Sequence, residues 1–203
     1  MTASTVSAPS LPRAAALAAT VWLALAVLAG ATGFLIRLPF PGPQAIILSL
    51  VIATLVAATS LPGLRAWLDA VPLRALIGVN GIRFIGITFL VLAARGEINP
   101  VFAARAGWGD MATAVVALAF LAAGAPRTAL GRGLAHLWNA FGVLDLVVAV
   151  GTATTVTLRH ETPGMAPILA LPLVVIPTFL VPLFLANHLV IFRRLLAAGR
   201  ADR

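Results

Sequence analysis

Leu134–Leu158 reads LAHLWNAFGVLDLVVAVGTATTVTL, an apolar run with a single formal charge, Asp145, near its middle. Leu73–Ala94, LRALIGVNGIRFIGITFLVLAA, is a second such run with Arg83 at its own midpoint. Each is long enough to cross a bilayer, which takes roughly 20 apolar residues in an α-helix. A carboxylate and a guanidinium at matching depth in hydrocarbon are each costly alone, so the two are expected to meet.

Working outward, the rest of the chain has the same character. Of 203 residues, 61% are hydrophobic and 10% charged, and the mean hydropathy is +1.07, far above what a soluble domain of this size needs. The apolar runs are continuous and lack the alternation of a transmembrane barrel, so the fold class is all-α, a polytopic membrane bundle. The net charge of +8 comes from arginines scattered between apolar runs. It reads as a topology signal and not as a nucleic-acid patch. Cysteine, tyrosine and lysine are absent. That excludes disulfides, thiolate metal sites and any retinal or pyridoxal group held as a lysine Schiff base.

Six spans are expected. Residues 1–13 form a short cytoplasmic tail, and 14–192 are the transmembrane domain. The first span, Ala14–Ile36, is too long for the apolar core of a signal peptide. Three prolines in Arg37–Pro43 mark a turn. Ala45–Leu61 is the second span, followed by an interfacial loop over Pro62–Pro72 with Trp67 at headgroup level. Leu73–Ala94 is the third span, and a polar loop, Arg95–Gly109, precedes a fourth that starts at Asp110 as its N-cap. Arg127 and Arg132 lie in the next loop. The Asp145 span is fifth, and Ile168–Phe192 is the sixth. Residues 193–203 are a basic tail. With both termini cytoplasmic, nine arginines fall inside and four outside, in keeping with the positive-inside rule.

Residues near the midplane then define candidate chemistry. Arg83 and Asp145 lie at depths that differ by about 3 Å at 1.5 Å per residue. Asn80 shares a helix face with Arg83, and Trp138 shares one with Asp145. In the sixth span, Pro172, Pro177 and Pro182 are five apart and deprive the carbonyls of Ile168, Leu173 and Thr178 of helical partners. Freed carbonyls at the midplane are how many transporters build sites, and Thr178 falls near the depth of Arg83. The candidate substrate-binding set is therefore Asn80, Arg83, Trp138, Asp145 and Thr178. His136 and His188 lie near the cytoplasmic face and are candidate axial ligands for a b-type haem. Plain interhelical hydrogen bonding is the commoner role of such histidines.

Gly107-Trp-Gly-Asp110 resembles the GxGD signature of intramembrane aspartyl proteases of the presenilin and prepilin-peptidase kind, which implies a second aspartate facing the first. In those families the partner comes earlier in the chain, whereas Asp145 comes later. A helix starting at Asp110 also leaves this residue half a membrane from Asp145, too far to share a proton. Protease activity is not expected.

The sequence points to a bacterial inner-membrane protein that binds or moves a small polar or anionic solute, or a proton, through a midplane polar site. One alternative is a haem-bearing redox protein. Another is an accessory subunit of a larger membrane complex, or a homo-oligomer, in which the ion pair only fixes register. The six-span expectation is checked by single cysteines. Ser4→Cys and Ala201→Cys should be shielded from an impermeant thiol reagent in intact cells, while Glu161→Cys reacts.

Overall fold

A computed structural model describes residues 10–124, 126 and 128–201. Residues 1–9 of the N-terminal tail, Arg127 and Arg203 of the basic end lie outside the described residues. Helix makes up 83% of the structure and strand none, which excludes a barrel among the described residues. Six helices are long and apolar enough to cross a membrane: Arg13–Ala31, Gly42–Ser60, Leu73–Ala94, Pro100–Ala123, Ala129–Leu158 and Ile176–Gly199. They are called the first to sixth spans below. With six crossings, Arg13 at the start of the first span and Gly199 at the end of the sixth share one side, here called the terminal side. The other is the far side.

The third to sixth spans form the centre of the bundle. The fourth packs along the third and against the fifth, and the sixth lies against the fifth, the second and the terminal end of the third. The first and second are peripheral, with only 11% of each buried. Pro62–Ala70, expected as a loop, is a short helix. Pro62 serves as its first residue, where a missing N–H costs nothing. Its Asp69 accepts from Arg193 at 2.5 Å and so ties this connection to the end of the sixth span.

The third span carries the fold's central irregularity. Val79–Gly86 is wound as a 3-10 helix between two α-helical ends. At three residues per turn, positions three apart stack on one line instead of drifting round the axis. Asn80, Arg83 and Gly86 are all buried on that line, and Ile77 and Phe89 continue it at either end.

The fourth span begins at Pro100, ten residues before the expected start, and Asp110 is not its cap. Asn99 is: its side-chain oxygen accepts from the backbone N–H groups of Val101 and Phe102. Pro100 occupies the first turn, where its ring is already set for a helix. Asp110 is thereby moved to the interior of a 24-residue helix, at the middle of the bundle.

The sixth span is not continuous from Ile168. Ala166–Leu169 is a 3-10 turn, a π-helical turn spans Ile176–Leu180, and the α-helix runs over Val181–Ala201. Two carbonyls that the prolines deprive of helical partners find other donors. Leu173 O accepts from Ile176 N at 2.9 Å, and Thr178 O accepts from the Trp22 indole of the first span at 2.8 Å.

Asn99 also donates to Glu161 across the far-side turn, at 2.9 Å. Asn99→Ala removes both the cap and this link. It should lower stability by about 1–2 kcal/mol, read as a drop in melting temperature of the purified protein, and Asn99→Ser should recover most of the loss.

Candidate functional site

Arg83 is fully buried, and its guanidinium organises the site. Nε donates to Asp110 Oδ1 at 2.7 Å, and Nη2 donates to Asp145 Oδ2. Nη1 donates to Gly142 O at 3.1 Å and meets His188 Nε2 at 3.2 Å. The Phe184 ring lies 5.8 Å from Cζ, within cation–π range. Four of the five guanidinium N–H groups are thus directed to acceptors on three neighbouring helices.

Because arginine only donates, His188 Nε2 must accept, and the ring proton sits on Nδ1. Nδ1 is 2.7 Å from Asn139 Oδ1, and Asn139 Nδ2 donates back to the His188 carbonyl at 3.0 Å. The Asn139–His188 pair therefore presents a fixed imidazole lone pair to Arg83.

The helices approach this closely because glycines stand where side chains would collide. A Cβ on Gly109 would occupy the position of Asp145 Oδ1. One on Gly142 would lie 2.5 Å from His188 Cε1 and 3.2 Å from Arg83 Nη1. On Gly86 it would fall 2.5 Å from Asp110 Cβ, and on Gly107 it would fall 3.0 Å from Gly86 O. The GxGD stretch thus has a packing reason at each of its named positions: Gly107 admits the third span, Gly109 admits Asp145, and Asp110 binds Arg83.

Asp110 corrects the sequence reading, which placed it half a membrane from Asp145. Both carboxylates bind one edge of the same guanidinium, so the depth objection to their cooperation falls. The chain-order objection to an aspartyl protease stands, and each carboxylate is held to Arg83. The ion pair is therefore a triad. With both acids ionised it carries two negative charges against one positive, and His188 contributes none in the tautomer its partners require. In hydrocarbon the surplus negative charge calls for a proton or a cation.

Of the sequence candidates, Arg83 and Asp145 are in contact and Trp138 lies nearby. The Trp138 indole donates to Thr113 O at 3.0 Å, and its ring is 5.7 Å from that of His188. Asn80 makes no hydrogen bond to Arg83. Its amide nitrogen returns to the carbonyls of Leu76 and Ile77, and its Oδ1 is buried without a partner, as is Thr113 Oγ1. Thr178 is not part of the cluster either: its hydroxyl donates to Val174 O at 2.6 Å, and it lines a groove against Trp22 of the first span. The histidines have separate surroundings. His136 stacks on Phe192 at 5.9 Å, while both ring nitrogens of His188 are engaged.

Residues 41–196 match a family described as a domain of unknown function, DUF8737. The chain belongs to this family. No curated protein and no solved structure matches it. The DUF8737 segment holds the whole charge cluster and its glycines and leaves out the first span.

Two kinds of glycine are separated by one experiment. Gly109→Ala and Gly142→Ala insert a methyl into the cluster and should cost about 1–3 kcal/mol each by overpacking. Gly133→Ala and Gly151→Ala meet nothing within 4 Å and should be neutral or slightly stabilising, as Ala is the better helix former. Melting temperatures of the four variants test the contrast.

Proposed function

We propose that this is a multi-pass protein of a bacterial inner membrane, with cytoplasmic termini, that carries a proton through the Asp110–Arg83–Asp145 centre. The observation that carries the reading is the pairing of two buried carboxylates with one guanidinium. A pair that only fixed helix register would need one carboxylate, since a second adds an uncompensated charge in hydrocarbon. Two carboxylates on one cation form a site that holds or releases a proton at constant geometry. The nearby acceptors differ on the two sides. Asp110 lines an open cavity on the far side. Asn80 Oδ1 and Thr113 Oγ1, each three residues nearer the terminal side than its cluster member on the same helix, are buried polar atoms suited to an internal water. Those two atoms extend the polar centre by one turn toward the terminal side, where a buried apolar cluster including Ile77, Val190 and Leu195 follows, and the cavity borders it on the far side.

An anionic solute is less well served, because the guanidinium is already over-matched by carboxylates. Haem ligation by His136 and His188 draws no support either. Nε2 of His188 faces a guanidinium, Nδ1 faces an amide, and the His136 ring stacks on Phe192.

Vesicles containing the purified protein and an internal pH dye, driven by a potassium diffusion potential, test the proposal. They should take up protons faster than protein-free vesicles. Asp110→Asn and Asp145→Asn should each slow uptake by about tenfold or more. Both variants should still fold, because each leaves Arg83 with one carboxylate. Uptake equal to that of empty vesicles would overturn the reading. Full uptake by both variants would make the cluster a register pin, as in an accessory subunit.

Arg83 itself behaves differently. Arg83→Leu leaves two carboxylates and His188 without their shared donor, and breaking a buried ion pair from one side costs about 3–5 kcal/mol. The triple change Arg83→Leu, Asp110→Leu and Asp145→Leu should recover much of that stability and none of the proton uptake, as read by melting temperature and dye response.

A further inference from the structure

A cavity of about 330 Å³ lies on the far side of the cluster, bounded by the second, third, fourth, fifth and sixth spans. Its volume falls in the range of small-molecule sites. Its walls are apolar, including Ile47, Val51, Phe89, Phe102, Leu146 and Met165, and Asp110 lies at its inner end. The polar groups along it offer acceptors. Asp110 uses Oδ1 for Arg83, and its side chain remains 11% exposed. Gln44 Oε1 is buried without a partner. Thr154 and Thr157 turn their hydroxyl hydrogens to the carbonyls of Val150 and Ala153, at 2.9 and 2.8 Å, so their oxygens are left to accept.

The cavity also has a lateral opening. The second span packs on the sixth and the fifth on the fourth, while the second and fifth share no extended contact. Leu48 and Val147, which line the cavity from these two spans, are 59% and 57% exposed, on surfaces that face lipid in a membrane bundle. A molecule dissolved in the far leaflet therefore reaches the cavity without crossing water.

We infer that this cavity is a binding site for a lipophilic amine: its apolar body fills the space between the second and fifth spans, and its cationic head lies against Asp110. The head supplies the positive charge that the triad lacks, and its N–H groups meet the Asp110 carboxylate, whose Oδ1 alone is taken by Arg83. A carboxylate head would meet Asp110 with like charge, and an alcohol would leave the charge uncompensated. This inference rests on the proton reading, because amine and proton then answer the same surplus charge and displace one another at Asp110.

Photolabelling of the full-length protein in lipid nanodiscs tests it. The probes are an alkylamine, an alkanol and an alkanoate of equal chain length, each carrying a diazirine. The amine should label peptides from the second and fifth spans around Val51 and Leu146, with about tenfold higher apparent affinity than the alkanol, a difference of about 1.4 kcal/mol. Asp110→Asn should remove that advantage while alkanol labelling persists, and acidification should weaken amine labelling alone. Ala153→Phe fills the cavity and should abolish labelling. Val51→Phe on the peripheral second span does the same with less burden on the core. Equal labelling by amine and alkanol, or amine labelling unchanged in both cavity-filling variants, overturns the inference. Proton uptake that persists without amine preference refutes the amine site alone. Amine labelling without proton uptake refutes the proton reading alone.

Discussion

A guanidinium in hydrocarbon cannot shed its charge at any accessible pH, so the helices around Arg83 must bring acceptors to it. Four arrive from three helices: Asp110 from the fourth span, Asp145 and the Gly142 carbonyl from the fifth, and His188 from the sixth. The rest of the packing follows from that demand. The 3-10 winding of Val79–Gly86 keeps Arg83 in line with the small Gly86, so the third span can approach the fourth at the level of Asp110. Gly109 and Gly142 do the same for the fifth and sixth. Without these glycines the acceptors would stand off by the width of a methyl group, and a buried cation would lack its partners.

The cluster is uneven in a way that separates structure from function. Stability asks for charge balance, which one carboxylate provides. The second carboxylate raises the cost of the site unless a proton or cation joins it, and it is the one that lines the cavity. Asp110 therefore links the demand for a positive charge to the cavity that reaches the cluster. The Asn139–His188 pair is set apart from this. It shares Nη1 with the Gly142 carbonyl, while the carboxylates take Nε and Nη2.

The bundle class, the number of spans and the Arg83–Asp145 contact were legible in the sequence because each follows from apolar length and the cost of charge in hydrocarbon. The triad was not. Asp110 follows a polar stretch, RGEINPVFAARAGWG, that reads as a loop when residues are counted by polarity. The overlooked signal was Asn99-Pro100, a cap followed by the residue best suited to a first helical position. Arg105 belongs to that helix and places its guanidinium on Thr152 at 3.2 Å, so one charge made the start of a membrane-length helix look like a loop. The glycines carried information that no period reveals, since a close approach depends on what lies opposite. Thr178 was misplaced for a related reason: the prolines show which carbonyls are freed but not which direction they face.

That direction gives the first span a role. Pro182 frees the Thr178 carbonyl, and the donor that satisfies it is Trp22, on a helix outside the segment that defines the family. An unpaired carbonyl in hydrocarbon costs several kcal/mol, so this donor stabilises the π-helical turn over Ile176–Leu180. The same turn places Ile176 and Pro177 in the wall of the cavity that reaches Asp110, while Thr178 faces the groove of the first span. Since π turns carry an extra residue and often mark functional positions, the Trp22 contact holds one face of an element whose other face shapes the cavity. A helix that buries little of its own surface thus meets the cavity-shaping segment at several points: the Trp22 indole N–H on Thr178 O, the Trp22 ring edge-on to Phe179 at 4.7 Å, and Gly30 against the side chains of Val174 and Leu171.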